Sequence, residues 1–250
     1  MCLNCAGPGR GPGTGKPQQE DKQQQEDPRR DAENTAERPW MSGRTAQRAT
    51  PAPKRSRIQM RNRGLILEAA LDVFSAHGYR GATLDQIAAQ AGLSKPNILY
   101  YFNGKEDIHV TLLNQLMDIW LDPLRAVDPE GVPLDEILRY VHRKLEMSRR
   151  FPRESRLFAN EILQGAPRIG PHLEAGLRPL VDATAVTIER WVKQGRLAQV
   201  DPRHLLFSIW ATTQHYADFE AQITVLLEGR DAHDGAKTYL TTLFTKLLTP

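Results

Sequence analysis

A short stretch of the chain carries side chains whose groups hydrogen-bond to nucleic acid: Lys95, Asn97, Tyr100 and Tyr101. The Lys95 ammonium can reach a phosphate or a guanine edge, and the Asn97 amide can bond an adenine edge or a backbone oxygen. The tyrosine hydroxyls can donate to phosphates. Because adjacent helical positions point about 100° apart, we expect one tyrosine ring in the core and the other at DNA.

Two short predicted helices position these residues. Residues 83–86 (TLDQ) have the pattern of a capping box and predict that a helix starts at Thr83. Gly92 ends that helix, and Ser94 can cap the next one, in which the early Pro96 costs little. The turn between them has the size and chemistry of a helix-turn-helix. In that motif the N-terminal residues of the second helix read the major groove.

The rest of the chain from Ile58 onward has the apolar spacing of helices and no alternating stretch typical of strands. A first helix is predicted to end at Gly78, and a fourth to run from Lys105 toward Leu121. Further helices are predicted over residues 134–150, 153–163, 172–194, 202–219 and 236–248. We therefore expect an all-α protein, with an N-terminal three-helix helix-turn-helix DNA-binding domain over 58–104 and a C-terminal helical bundle over 105–250.

Basic charge is concentrated at the N-terminal end. Residues 1–63 contain 13 Lys and Arg against 7 Asp and Glu, whereas the remaining residues contain 20 against 23. Because Ile, Val, Phe and Tyr are absent before Ile58, we expect residues 1–57 to form a disordered tail. Its last part is a basic arm that suits a polyanion. Met41 begins a run that would serve equally well as a start of translation.

Composition narrows the class of protein. No window approaches the roughly 20 apolar residues of a membrane-spanning helix, and the N-terminus lacks the apolar core of a signal peptide. We expect a cytoplasmic protein without a membrane partner. Cys2 and Cys5 have the spacing of half a zinc site only. His215 has no second histidine at i, i+4, so we expect no metal, no cofactor and no catalytic site.

Three segments resemble the DNA-binding domain of the TetR family of bacterial one-component repressors: residues 78–88 (GYRGATLDQIA), 91–95 (AGLSK) and 99–106 (LYYFNGKE). The resemblance implies that Thr83 and Lys105 hold DNA phosphates. It also implies that the C-terminal helical bundle over 105–250 serves ligand binding and dimerisation, with a homodimer built by the last two long helices on a near-palindromic operator. Pro96 departs from the polar residue expected there. The full set of predicted DNA contacts is Lys54, Arg55, Arg57, Thr83, Ser94, Lys95, Pro96, Asn97, Tyr100, Tyr101 and Lys105.

Three segments of the larger domain resemble a pyrimidine-responsive branch of the same family: residues 116–124 (LMDIWLDPL), 155–161 (SRLFANE) and 209–219 (IWATTQHYADF). The resemblance implies that uracil or thymine is the effector that releases DNA. An amide such as Gln214 or Asn160 can pair with the polar edge of a pyrimidine, and Trp210 or Phe158 can cover its face. The predicted effector residues are Trp120, Phe158, Asn160, Glu161, Trp210, Gln214, Tyr216 and Asp218.

Other interpretations stay open at this point. The aromatic residues of the last segment could instead anchor the dimer interface. The protein could be a repressor of the same fold with an unrelated effector, or an architectural DNA binder with none. We expect the arginines around the turn at Phe151, residues 149–156, to form a solvated face, and His109 to lie at the surface.

Overall fold

The computed structural model describes residues 57–250, and every regular element in that range is helical. The predicted tail up to residue 56, the alternative start at Met41, and Lys54 and Arg55 lie outside these residues. The helices are α1 (Arg57–Gly81), α2 (Leu84–Ala91), α3 (Lys95–Tyr101), α4 (Lys105–Arg125), α5 (Pro133–Arg150), α6 (Pro152–Leu163), α7 (Gly170–His172), α8 (Arg178–Lys193), α9 (Pro202–Asp218), α10 (Glu220–Leu226) and α11 (Ala232–Leu248), with a π-helical segment, Leu173–Leu177, before α8.

The helix-turn-helix forms as the sequence predicts. Thr83 caps α2, and its hydroxyl accepts from the Gln86 N–H while the Gln86 side chain accepts from the Thr83 N–H. Gly92 ends α2 with a φ of 64°, a left-handed conformation that favours glycine. Ser94 then caps α3. The expected all-α fold and the cap positions are confirmed.

Helix α1 bends at Gly78, where φ is 65°. The predicted end at Gly78 is therefore the point where the regular helix stops. The residues from Tyr79 to Gly81 form a last turn with a new direction.

One hydrophobic core joins the DNA-binding domain to the bundle. Phe74 of α1, Ile87 of α2 and Ile98 of α3 are fully buried and pack in the same cluster as Leu112 of α4. A second cluster lies in the bundle between α5, α8, α9 and α11 and includes Leu124 of α4. Helix α4 therefore contributes to both cores.

Several predicted helix limits in the bundle are wrong. Helix α4 continues through Pro123 to Arg125, because a proline in the last turn removes only one helical hydrogen bond. The predicted helix over 172–194 is instead α7, the π-helical segment and α8. Pro179 in the first turn of α8 has no N–H to continue an α-helical ladder. Helix α10 was not predicted, and α11 starts at Ala232, capped by Asp231.

None of the helices in residues 57–250 is long and apolar enough to cross a bilayer.

Candidate functional site

Helix α3 presents a row of polar residues to solvent. Ser94, Lys95, Pro96 and Asn97 are exposed, whereas Ile98 is fully buried against α1 and α2. The Ser94 hydroxyl accepts from the Asn97 N–H. The turn that Ser94 caps is therefore the turn that exposes Lys95 and Asn97. Ile98 anchors α3 in the core, and the first turn of α3 stays accessible to a groove of DNA.

The two tyrosines divide between solvent and protein. Tyr100 is 70% exposed, whereas Tyr101 is half-buried. Both are braced by α1: the Gln59 amide donates to the Tyr100 hydroxyl (3.2 Å) and the Asn62 amide donates to the Tyr101 hydroxyl (3.1 Å). The start of α1 therefore supports the helix that carries the predicted reading residues, a role that sequence reasoning missed.

Lys95 has one ionic partner within the domain. Its ammonium lies 3.0 Å from Asp85 Oδ2, and both side chains are exposed, at 46% and 72%. Such exposed pairs contribute at most about 1 kcal/mol. A phosphate or base edge can therefore replace Asp85 at little cost.

Thr83 and Lys105 are occupied by contacts within the chain. The Thr83 hydroxyl both accepts from and donates to Gln86. The Lys105 ammonium donates to the carbonyl oxygens of Tyr79 (2.8 Å) and Ala82 (2.7 Å), and so ties the start of α4 to the end of α1. Arg57, in contrast, is exposed at the first residue of α1.

A cavity of about 280 Å³ lies within the bundle between α4, α5, α6 and α9. Its walls are aliphatic and aromatic, and the near-parallel rings of Trp120 and Phe158 have centroids 6.4 Å apart. Trp210 forms another wall, and its indole N–H donates to the Tyr140 hydroxyl (2.6 Å). A flat ring fits surfaces of this kind.

Gln214 and Lys144 place an amide and an amine in the lining of this cavity, beside Tyr140. Lys144 is 3% exposed, and burial lowers its pKa to about 7, although the nearby Asp218 carboxylate favours its charged form. An amide and an amine beside aromatic walls can bond a ligand that has both donors and acceptors on its edge.

Four of the predicted effector residues line this cavity: Trp120, Phe158, Trp210 and Gln214. Asn160 and Asp218 line a neighbouring recess of about 410 Å³, which shares Phe158 and Gln214 with the cavity. Burial raises the pKa of Asp218, and the Ser155 hydroxyl donates to its carboxylate (2.5 Å).

Tyr216 and Glu161 line neither space. Tyr216 packs against the second core cluster, with its ring centroid 6.0 Å from that of His233. Glu161 is 1% exposed and paired with Arg168. Its carboxylate is bonded to Arg168, and α6 lines the cavity through Phe158 and Ile162 instead.

Sequence reasoning missed Tyr140 and Lys144 of α5. These two residues are four positions apart, so they share one face of the helix. Lys144 stands among the buried positions Ile137, Val141 and Leu145. A lysine in the apolar stripe of a helix was the signal that could have found it.

The expected solvated face of arginines around Phe151 forms only in part. Arg149 is exposed and pairs with Asp231 (3.2 Å), and Arg156 pairs with Glu220 (3.1 Å). Arg153 instead reaches both Glu68 and Asp72 of α1, and its side chain is only 22% exposed. The expectation is wrong for Arg153, because α6 packs directly on α1.

His109 is 2% exposed, so the expected surface position is also wrong. Its ring lies edge-on to those of Phe74 and Tyr79, with centroids 4.7 and 4.9 Å away. Burial lowers the pKa of His109 to about 4, although the Glu161 carboxylate acts in the opposite direction.

Between Arg57 and Pro250, no group of three or more His, Cys, Asp or Glu residues could hold a metal ion. The helices predicted to form a dimer, α9 and α11, expose large apolar side chains, among them Phe207, Tyr239 and Leu247.

Two family models match the chain: "Bacterial regulatory proteins, tetR family" over residues 66–110, and "YcdC-like protein, C-terminal region" over residues 113–250. The HTH-type transcriptional regulator RutR of Escherichia coli (strain K12) is 49% identical over 170 residues, which span 68% of this chain and 80% of that protein. The HTH-type transcriptional activator FasR of Mycolicibacterium smegmatis is 36% identical over 90 residues, 35% of this chain and 39% of that protein.

Solved structures share the fold at lower identity. A putative transcriptional regulator, SCO4942 from Streptomyces coelicolor, matches with a TM-score of 0.61 and 22% identity, over 75% of this chain and 98% of that one. AibR in complex with isovaleryl coenzyme A and operator DNA matches with a TM-score of 0.59 and 19% identity, over 76% and 99%. With the family models and the identity to RutR, these findings establish that the chain belongs to the tetR family of bacterial regulatory proteins, as the motifs of α2 and α3 predicted.

Proposed function

We propose that this protein is a dimeric repressor that binds a palindromic operator through α3 and is released by a pyrimidine, uracil or thymine. The regulated genes would serve pyrimidine catabolism. The cavity of about 280 Å³, with aromatic walls and the polar groups of Lys144 and Gln214, is the observation that carries the choice of effector.

The size of the cavity favours a single-ring ligand. Ligand sites commonly range from about 300 to 1,000 Å³, and this one lies at the lower end. A coenzyme A thioester, such as the ligand in the AibR complex, is much larger than the space. An unrelated, bulky effector therefore fits this cavity poorly.

The chemistry of the cavity suits the edge of a pyrimidine. Uracil has two carbonyl acceptors and two N–H donors around one flat ring. The Lys144 amine can donate to a carbonyl, and the Gln214 amide can accept from an N–H while it donates to a neighbouring carbonyl. Trp120 and Phe158 can cover the ring faces.

The position of these residues in the sequence supports the same choice. The three segments that resemble the pyrimidine-responsive branch, residues 116–124, 155–161 and 209–219, supply Trp120, Phe158, Trp210 and Gln214 to one cavity. Residues of separate helices converge on a single space. An effector site accounts for this convergence, because the residues lie on separate helices and line one space that also contains a buried amine.

DNA binding would follow from the exposed first turn of α3. Lys95 and Asn97 would contact base edges, Tyr100 and Arg57 would contact phosphates, and the basic arm with Lys54 and Arg55 would add charge. Two copies would place their α3 helices in successive major grooves, about 34 Å apart. The exposed apolar side chains of α9 and α11 suit the interface of such a dimer.

We further propose that the protein acts in the cytoplasm without catalysing a reaction. Its RutR relative is named a transcriptional regulator.

The test is a titration of the full chain with uracil and thymine. A duplex selected in vitro from random DNA would serve as the operator, with fluorescence anisotropy reporting binding. We expect micromolar uracil or thymine to weaken operator binding and to raise the Tm of the free protein, whereas isovaleryl coenzyme A does neither. A protein that binds the duplex equally well with every nucleobase would contradict the pyrimidine effector.

A further inference from the structure

A buried ion pair connects the helix that lines the cavity to the DNA-binding domain. Glu161 of α6 is 1% exposed. Its carboxylate accepts from the backbone N–H of Arg168 (2.7 Å) and from Arg168 Nη1 (3.1 Å). A carboxylate with two such donors holds both the loop and the arginine side chain in place.

The loop that this pair holds has a strained backbone. Gly165 and Ala166 have φ values of 88° and 53°. The second value is left-handed, which costs a residue other than glycine some stability. The Ala166 N–H donates to the Glu161 carbonyl (2.9 Å), and Ile169 just beyond is buried. Contacts with the surrounding protein therefore hold the loop in this conformation, against the intrinsic φ preference of alanine.

The far end of Arg168 meets the DNA-binding domain. Its guanidinium carbon lies 3.5 Å from the centroid of the Tyr79 ring, and Nε lies 3.6 Å from Glu106 Oε1. The Lys105 ammonium is 4.5 Å from the same ring and bonds the Tyr79 carbonyl. Tyr79 is thus contacted by two cations, one from the bundle and one from α4.

These contacts join the cavity to the last turn of α1. Ile162 lines the cavity, its neighbour Glu161 holds Arg168, and Arg168 covers Tyr79 at the point where α1 has turned toward α2. A ligand that displaces Ile162 must move Glu161 with it, since both belong to the same helical turn. The displacement would reach Tyr79 without passing along α4.

We propose that the Glu161–Arg168 pair is the coupling element that conveys occupancy of the cavity to the DNA-binding domain. Glu161 is then a positioning residue and does not touch the effector. This inference rests on the proposed function. We expect that a protein without the pair still binds its effector but no longer releases DNA in response.

The test uses the full-length double variant E161Q/R168Q. Both charges are removed together, so no buried charge is left unpaired. Three quantities are measured with uracil as the probe: operator affinity without uracil, uracil affinity of the free protein, and the factor by which saturating uracil weakens operator binding. We expect the first two to stay within about threefold of the wild type, and the third to fall to about one.

The matched control is E189Q, which removes a carboxylate paired with Lys193 on the surface of α8 (3.9 Å). It should preserve all three quantities. A double variant that uracil releases from DNA as strongly as the wild type would overturn the proposal. A wild type that uracil never releases would instead contradict the proposed effector.

A second measurement needs no effector. Spin labels at Y100C and L163C, both exposed positions, with Cys2 and Cys5 replaced by serine, report the distance between α3 and the end of α6. Labelled chains are diluted with unlabelled ones. We expect a narrow distance distribution in the parent and a broader one with E161Q/R168Q. Equal widths would show that the pair does not position the DNA-binding domain.

Discussion

The Nζ atom of Lys144 lies 5.4 Å from the centre of the Trp120 ring, beside the cavity of the bundle. The ring face attracts the ammonium, and the Asp218 carboxylate also favours its charge, yet burial outweighs both and lowers the pKa to about 7. The folded protein therefore maintains a buried amine at a cost in stability. A ligand carbonyl that accepts from this amine would recover part of that cost.

Replacing Lys144 with methionine should stabilise the free protein by about 1 to 4 kcal/mol at pH 7, because no amine has to be buried. The gain should shrink as the pH rises toward 10.5, where the unfolded lysine also becomes neutral. Urea unfolding at several pH values measures the change. The variant should lose uracil binding by calorimetry. A destabilised variant that still binds uracil would contradict this role of Lys144.

His109 should make the stability of the fold depend on pH. Its folded pKa of about 4 lies below the ordinary value of 6.5, so the unfolded chain binds the extra proton first. The contribution of neutral His109 to the free energy of unfolding is fully present above pH 6.5. It is lost as the pH falls toward 4, and amounts to about 3 kcal/mol in total. In H109F this contribution should vanish, and urea unfolding between pH 4 and 7 should show a flatter profile. An unchanged profile would exclude His109 as its source.

Lys95 should determine sequence specificity. Because its partner Asp85 is exposed and weakly held, K95A should lower affinity for the selected operator by about 1 to 3 kcal/mol. Affinity for random duplex DNA should change little. Anisotropy with both duplexes measures the difference, and K193A, which removes an exposed lysine of α8, is the control. Equal losses on both duplexes would instead assign Lys95 to phosphates.

Thr83 should contribute to stability even in the absence of DNA. Its hydroxyl caps α2, so T83A should destabilise the free protein by about 1 kcal/mol. T187A removes the hydroxyl of a half-buried threonine from the middle of α8 and should have a much smaller effect. Thermal unfolding without DNA compares the two variants. If T83A matched T187A in Tm, the role of Thr83 would lie at DNA alone.

Local sequence signals were sufficient for the DNA-binding domain. Thr83, Gly92 and Ser94 form their caps through neighbours three or four residues away, and such contacts can be inferred from spacing. The division of Tyr100 from Tyr101 follows in the same way from helical geometry. The brace from Asn62 to Tyr101 could not be inferred, since it joins residues that are far apart in the chain.

The cavity was predictable only in part. Trp120, Phe158, Trp210 and Gln214 were identified because they fall in segments that resemble a known branch of the family. Glu161 lies in one of these segments, but the rotation of α6 directs it to Arg168 and away from the cavity. The apolar stripe of α5 marks Lys144 as a buried position, but its place beside the cavity depends on how α5 packs against α4 and α9.

Helix α4 supplies Leu112 to the core around α1 and Leu124 to the core of the bundle. A fragment cut before Lys105 would lose the apolar surface on which α1 closes, together with the ammonium that holds the end of α1. The DNA-binding domain therefore depends on α4 and is not an independent folding unit. Grafting it onto a different sensor would require α4 and the surface of α6 that packs on α1, so a chimaera joined at Lys105 would cut through a core that the two named domains share.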